Sequence, residues 1–177
     1  KFEMPKQIDK ALDGVARIAQ EVDTLLVINN QRLLEIYSDF SVLNAFRKAD
    51  QTLTNAVNSI VEVIKMRGRQ GLFGMNLDFQ DVDTCLRGGG AAIMATGEGR
   101  GEHRLREAIQ SALHSPLLND TDVQKSLSLR LAIFSPPEST GNALMIEELN
   151  EVDDFMKGFK TNPDFKPGFV EDPRLTD

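Results

Sequence analysis

The chain has 177 residues, 41% of them hydrophobic, and a formal net charge of -7. That length fits one domain or two small units sharing a helix, and that apolar share supports a real core and excludes global disorder. No basic cluster could track a phosphate backbone and no apolar run reaches the length of a membrane span, which argues against nucleic-acid binding and against direct membrane insertion.

The opening, Lys1-Phe2-Glu3-Met4-Pro5, is neither a signal peptide nor an ordinary initiation site, so the chain reads as the inside of a longer one. Residues 8–22 carry Ile8, Leu12, Val15, Ala19 and Val22 at steps of four and three, one apolar helix face. Thr24 to Ile28 is a short apolar run rich in β-branched residues, closed by the turn signal Asn29-Asn30. It predicts a buried strand of the parallel type. A short helix is expected over Gln31 to Tyr37.

Ser41 can cap the next helix. There Val42, Phe46, Ala49, Leu53, Val57, Ile60 and Ile64 repeat at four and three, and Leu43, Ala56 and Val61 widen the stripe. Such a helix is about 35 Å long at 1.5 Å per residue, long enough to bridge two units. Lys65 to Gly74, with Gly68, Gly71 and Gly74 among basic residues, predicts a loop.

Gly74-Met75-Asn76-Leu77-Asp78-Phe79-Gln80-Asp81-Val82 then opens a helix. Asp78 and Asp81 are three apart and share a face, with Asn76 close by. Phe79, Val82 and Leu86 are expected to point the other way, into the core. Carboxylates at a helix start can orient a water or a cation, although Asp in that place is most often a cap. Arg87-Gly88-Gly89-Gly90 ends the helix. Cys85 is the only cysteine, so no internal disulfide can form and a reducing compartment fits; a small buried apolar role suits it better than a reactive one.

Ala91 to Thr96 reads as a strand, and Gly97-Glu98-Gly99-Arg100-Gly101 leads into a helix carrying Leu105, Ala108, Ile109, Ala112 and Leu113. Strand, glycine loop and helix resemble a phosphate cradle. Glu98 and Glu102 put negative charge where phosphate would sit and no Lys-Ser/Thr pair follows, so a strand-to-helix turn is the better reading. His103 and His114 lie about 16 Å apart along that helix, too far to share a metal ion. Ser115-Pro116 stops it. Leu127 to Phe134 alternates at period two, the pattern of a half-buried strand, and Pro136-Pro137 breaks it. Residues 143–158 read as a helix, with Glu147-Glu148 and Asp153-Asp154 on a solvated face. The tail from Thr161 holds Pro163, Pro167 and Pro173 and leaves room for at most one short strand near Phe169-Val170. Strands alternating with helices place the fold in the α/β class.

Four segments, in order, resemble the FtsZ family of bacterial tubulin-like cell-division GTPases. Val22 to Asn30 resembles the family's strand and asparagine turn, and Asn44 to Asp50 the start of its central core helix. Asn76 to Val82 resembles its catalytic synergy loop, with Gln80 where alanine is more usual, and Ser115 to Leu118 the end of the first helix in its C-terminal domain. The resemblance implies a tubulin/FtsZ-like α/β fold, with the long central helix followed by a small α/β C-terminal domain. Residues 1–40 would be a remnant of the GTP-binding domain, 41–65 the core helix, 66–90 the synergy loop and its helix, and 91–177 an incomplete activating domain.

By the same resemblance, Asp78 and Asp81 polarise the attacking water on GTP held by the next subunit of a head-to-tail homopolymer, and Asn76 helps to hold the loop. Phe46 would lie against the guanine, Asp50 would accept from its N–H edge, Asn30 would add a polar contact and Glu3 would bond the ribose. GTP, with Mg2+ as its companion, is the implied ligand. Cell-division adaptor proteins are the implied partners, and the cytoplasm at the division site the implied location. The family's glycine-rich signature is absent: Gly88-Gly89-Gly90 lacks its threonine and follows the core helix. Gln7 stands where the family usually has an arginine. The phosphate-binding half is therefore expected upstream of Lys1, and the chain alone is expected neither to hold GTP tightly nor to hydrolyse it.

Overall fold

The structure, a computed structural model, describes residues 5–27, 40–66, 75–115, 118 and 123–176. Helix α1 spans Pro5–Ala19, strand β1 Thr24–Leu25 and the long helix α2 Val42–Lys65. Helix α3 (Phe79–Leu86), strand β2 (Gly90–Ala91) and helix α4 (Arg104–Leu113) follow. Strand β3 (Ser128–Ser135), helix α5 (Asn150–Lys157) and strand β4 (Asp164–Glu171) complete the described elements.

Proline fits the first position of α1, where a missing N–H costs nothing. The helix ends at Ala19, three residues short of expectation, and Val22 lies beyond it on the surface. Ser41 caps α2 by accepting from the Asn44 N–H at 3.4 Å, as its place in the sequence indicates. Much of the apolar stripe of α2 faces outward: Leu43, Phe46, Leu53 and Val57 are all at least half exposed. Among its described side chains, the fully buried ones are Ala56 and, at the far end, Met66.

Two parallel pairings organise the rest. In the first, Thr24 lies opposite Gly90 and Leu25 opposite Ala91. Gly90 N–H donates to the Asp23 carbonyl at 3.0 Å, Gly88 N–H to the Asp23 carboxylate at 3.3 Å, and the Thr24 hydroxyl to the Leu86 carbonyl. The chain that leaves through α2 thus returns, after α3, to the point it left. The strand expected over 91–96 reduces to its first residue. A strand needs a ladder, and β1 offers one only as far as Leu25; Ala92 N–H still reaches the Leu25 carbonyl at 3.3 Å. Ile28 to Tyr37, which include the end of the expected first strand and a short helix, lie outside the described residues, as does most of the 65–74 loop.

In the second, β3 and β4 pair in parallel over eight residues, from Ser128 opposite Asp164 to Ser135 opposite Glu171. The period-two pattern sorts their side chains to two faces. Leu131, Ile133, Phe165 and Phe169 pack with Leu105 and Ile109 of α4, Leu144, and Val152 of α5. On the opposite face Ala132, Phe134 and Val170 meet Met66, Val63 and Leu77. The sheet therefore lies between α4 and α5 on one side and, on the other, the end of α2 with the stretch before α3. Residues 143–149 are not helical as expected, apart from a 3-10 turn at Ile146–Leu149, and α5 begins only at Asn150.

Candidate functional site

Three anchors hold the stretch that leads into α3. The Asn76 side-chain amide donates to the Met66 carbonyl at 2.7 Å. Leu77 is only 1% exposed. Met75 accepts at its carbonyl from the Phe169 N–H at 3.2 Å, which lays the stretch along β4. Residue 168 has to be glycine for that approach: a Cβ there would stand 2.7 Å from the Leu77 side chain and 2.9 Å from its backbone nitrogen.

Asp78 and Asp81 then form a reciprocal cap. Asp78 Oδ1 accepts from the N–H groups of Gln80 at 2.9 Å and Asp81 at 3.1 Å, and Asp81 Oδ2 accepts from the Asp78 N–H at 2.9 Å. These bonds satisfy donors that a helix start leaves open. The carboxylates do both things their spacing allows: they start the helix and they face one cleft. Phe79 corrects the sequence reading, because it is 58% exposed rather than buried. The first position of an eight-residue helix capped this tightly points away from the sheet, and Val82 and Leu86 are half-buried.

The open cleft beside the cap has a volume of about 490 Å³ and is lined by Asp78, Gln80, Asp81, Thr84, Arg130 and Lys166, among others. Lys166 Nζ donates to both oxygens of Asp81, at 2.6 and 2.7 Å. Next to it Arg130 bonds the Asp164 carboxylate at 2.6 Å and the Asp164 carbonyl at 2.7 Å. Burial alone pushes the Asp81 carboxyl up. The Lys166 bond, the Asp78 N–H and the charges of Lys166 and Arg130 together outweigh that and hold it below the ordinary carboxylate value. Nothing in the sequence singles out either cation. Lys166 sits in the proline-rich tail, 85 positions from its partner. Arg130 left one trace, a polar residue within the alternation of β3.

The residues expected to contact guanine lie elsewhere. Phe46 is 50% exposed and Asp50 is exposed, one turn further along α2. From Asp50 to Met66, beside which Asn76 is anchored, is sixteen residues of rise, about 24 Å. Phe46 and Asp50 therefore stay apart from Asn76, Asp78 and Asp81, which come together. Asn30 and Glu3 lie outside the described residues. Phe46 offers a ring face and Asp50 an acceptor, which suit a base; the described residues include no cradle for its phosphates. They also hold no group of three or more His, Cys, Asp or Glu able to bind a metal ion.

The glycine loop at 97–101 is backbone packed on backbone. A Cβ at Gly97 would collide with the Ala108 carbonyl of α4, and one at Gly99 with that of Arg104. These two glycines admit the helix backbone, the role of a strand-to-helix turn. Among the described residues no helix is long and apolar enough to cross a membrane.

Residues 90–164 match the FtsZ family, C-terminal domain. The cell division protein FtsZ of Porphyromonas gingivalis is 43% identical over 174 residues, which are 98% of this chain and 36% of that protein. That of Azotobacter vinelandii is 35% identical over 178 residues, 99% of this chain and 43% of its own length. Among solved structures, an empty FtsZ dimer of Methanocaldococcus jannaschii superposes with a TM-score of 0.73 at 34% identity, over 93% of this chain and 45% of the other. The chain thus spans less than half the length of these relatives. Sequence similarity along nearly all of it and a shared tubulin/FtsZ-like fold agree: the chain belongs to the FtsZ family.

Proposed function

We propose that this chain is the activating part of a cell-division GTPase that polymerises head-to-tail into filaments of the division ring. Its acidic loop would complete GTP hydrolysis on the adjacent subunit. One observation carries the reading. Asp78 and Asp81 face an open cleft and follow Asn76, which is bonded to Met66 at one end of α2, while Asp50 lies about 24 Å and Phe46 about 30 Å back along the helix from Met66. One nucleotide cannot span both within a single chain, whereas successive copies stacked along α2 bring one copy's Asp81 to the nucleotide on another's Phe46.

On this reading Asp78 and Asp81 orient the attacking water and accept from it, and the chemistry is positioning and charge rather than covalent catalysis. Asn76 acts through its bond to Met66, fixing the loop to the helix. GTP and its Mg2+ would be held mainly by residues of the neighbouring copy. Adaptor proteins at the division site would recognise the assembled filament.

A second reading, a non-catalytic tubulin-like filament or interaction module, has the capping box in its favour, since a purely structural role also accounts for Asp78 and Asp81. Asp81→Ala in the full-length protein separates the two. The catalytic reading expects GTP turnover to fall by about a hundredfold or more with GTP binding retained. Turnover that persists in a folded Asp81→Ala protein rejects it.

A further inference from the structure

We propose that Lys166 is the positioning residue for Asp81, clamping its carboxylate and offsetting its charge where the acidic loop meets a neighbour's triphosphate. The inference rests on the reading of Asp81 just given.

The clamp is long-range and built into the sheet. Lys166 projects from β4, Asp81 from α3, and the two Nζ–oxygen distances leave little rotational freedom to the carboxylate. A carboxylate has about four acceptor sites. Lys166 takes one on each oxygen and the Asp78 N–H a second on Oδ2. One site on Oδ1 is left for a water, and its direction is set by the other three. Asp81 keeps 13% of its side chain exposed, enough for that contact from the cleft.

Charge gives the second reason. Three carboxylates line the cleft, Asp78 from the start of α3, Asp81 within it and Asp164 from β4. A triphosphate would meet them with strong repulsion. Lys166 from β4 and Arg130 from β3 stand among them, so the five groups carry one net negative charge instead of three. Arg130 is committed to Asp164, with two further bonds to backbone carbonyls. Lys166 is 45% exposed at its side chain and is the cation that directly faces Asp81.

The test measures GTP turnover against pH in the full-length protein for Lys166→Met, Lys166→Arg and Asp81→Ala. Lys166→Met is expected to lower kcat by about tenfold or more through misplacement of the reacting water. It is also expected to move the acid limb of the profile to higher pH, because Asp81 loses its stabilising cation while Asp78, Asp164 and Arg130 remain. Lys166→Arg, which keeps the charge, should restore both. A folded Lys166→Met protein whose profile superimposes on the parent's overturns the proposal, as does one that turns over faster, since the pair would then be a brake. Should the Met variant fail to fold, Lys166→Arg decides: near-parental turnover with an unmoved acid limb supports the proposal, and loss of turnover in a folded Arg variant overturns it. If Asp81→Ala leaves turnover intact, the reading of the loop fails instead. If Asp81→Ala abolishes turnover and Lys166→Met changes nothing, only the role of Lys166 falls.

Discussion

Leu77 and Gly168 fix where the acidic loop can sit. Leu77 fills the space a side chain at 168 would take, and its backbone nitrogen lies closer to the same point than van der Waals contact allows. Gly168→Ala should therefore destabilise the protein by about 1–3 kcal/mol, the usual cost of overpacking. A urea midpoint equal to the parent's would show that the loop slides aside freely. At this scale the sequence was informative wherever partners are neighbours in the chain. Asp78 and Asp81 announce a cap because they stand three positions apart. Lys166 and Asp81 announce nothing, because the fold alone brings them together, and the exposure of Phe79 likewise depends on how α3 is set against the sheet.

Between elements, the clearest fastening is that of α4 to the turn before α5. Arg104 donates to both Glu148 oxygens, at 2.8 and 2.9 Å, and to the carbonyls of Asn142 and Ala143, each at 2.7 Å. The Arg104 bond draws the Glu148 carboxyl below its ordinary 4.5; burial opposes this, and the Met145 N–H adds to it. The sign follows. A carboxyl with a lowered folded pKa contributes stability that is fully present above about 4.5 and is lost as pH falls through the folded value. Thermal midpoints measured from about pH 5 down to about pH 3 should fall less steeply in Glu148→Gln than in the parent. Parallel curves would assign the acid loss elsewhere.

Element type was legible in long periodic stretches such as α2 and β3, where one repeat dominates. β4 is longer than the tail's sequence suggests, because Pro167 and Gly168 look like breakers. In the sheet Pro167 sits opposite Leu131 without ending the ladder, and Gly168 is there to admit Leu77. The strand after the triple glycine is shorter than its apolar run suggests, because such a run does not reveal whether a partner strand continues beside it.

At the scale of the molecule, apolar side chains are exposed among the described residues of both leading helices, Ile8 and Leu12 on α1 and Leu43, Phe46, Leu53 and Val57 on α2. The acidic cleft lies away from Phe46 and Asp50. Mixed with a matching N-terminal half of an FtsZ relative, this chain should restore GTP hydrolysis that neither part shows alone. Submicromolar GTP binding by the chain by itself would contradict that division of labour. The cluster of Met66, Leu77 and Val170 gives it a further consequence. Because the loop's own leucine is sealed between the end of the long helix and the sheet, its backbone is ordered when the domain folds. The conformational entropy of arranging Asp78 is settled during folding, so in the head-to-tail assembly proposed above an arriving subunit would meet an acidic edge already in place.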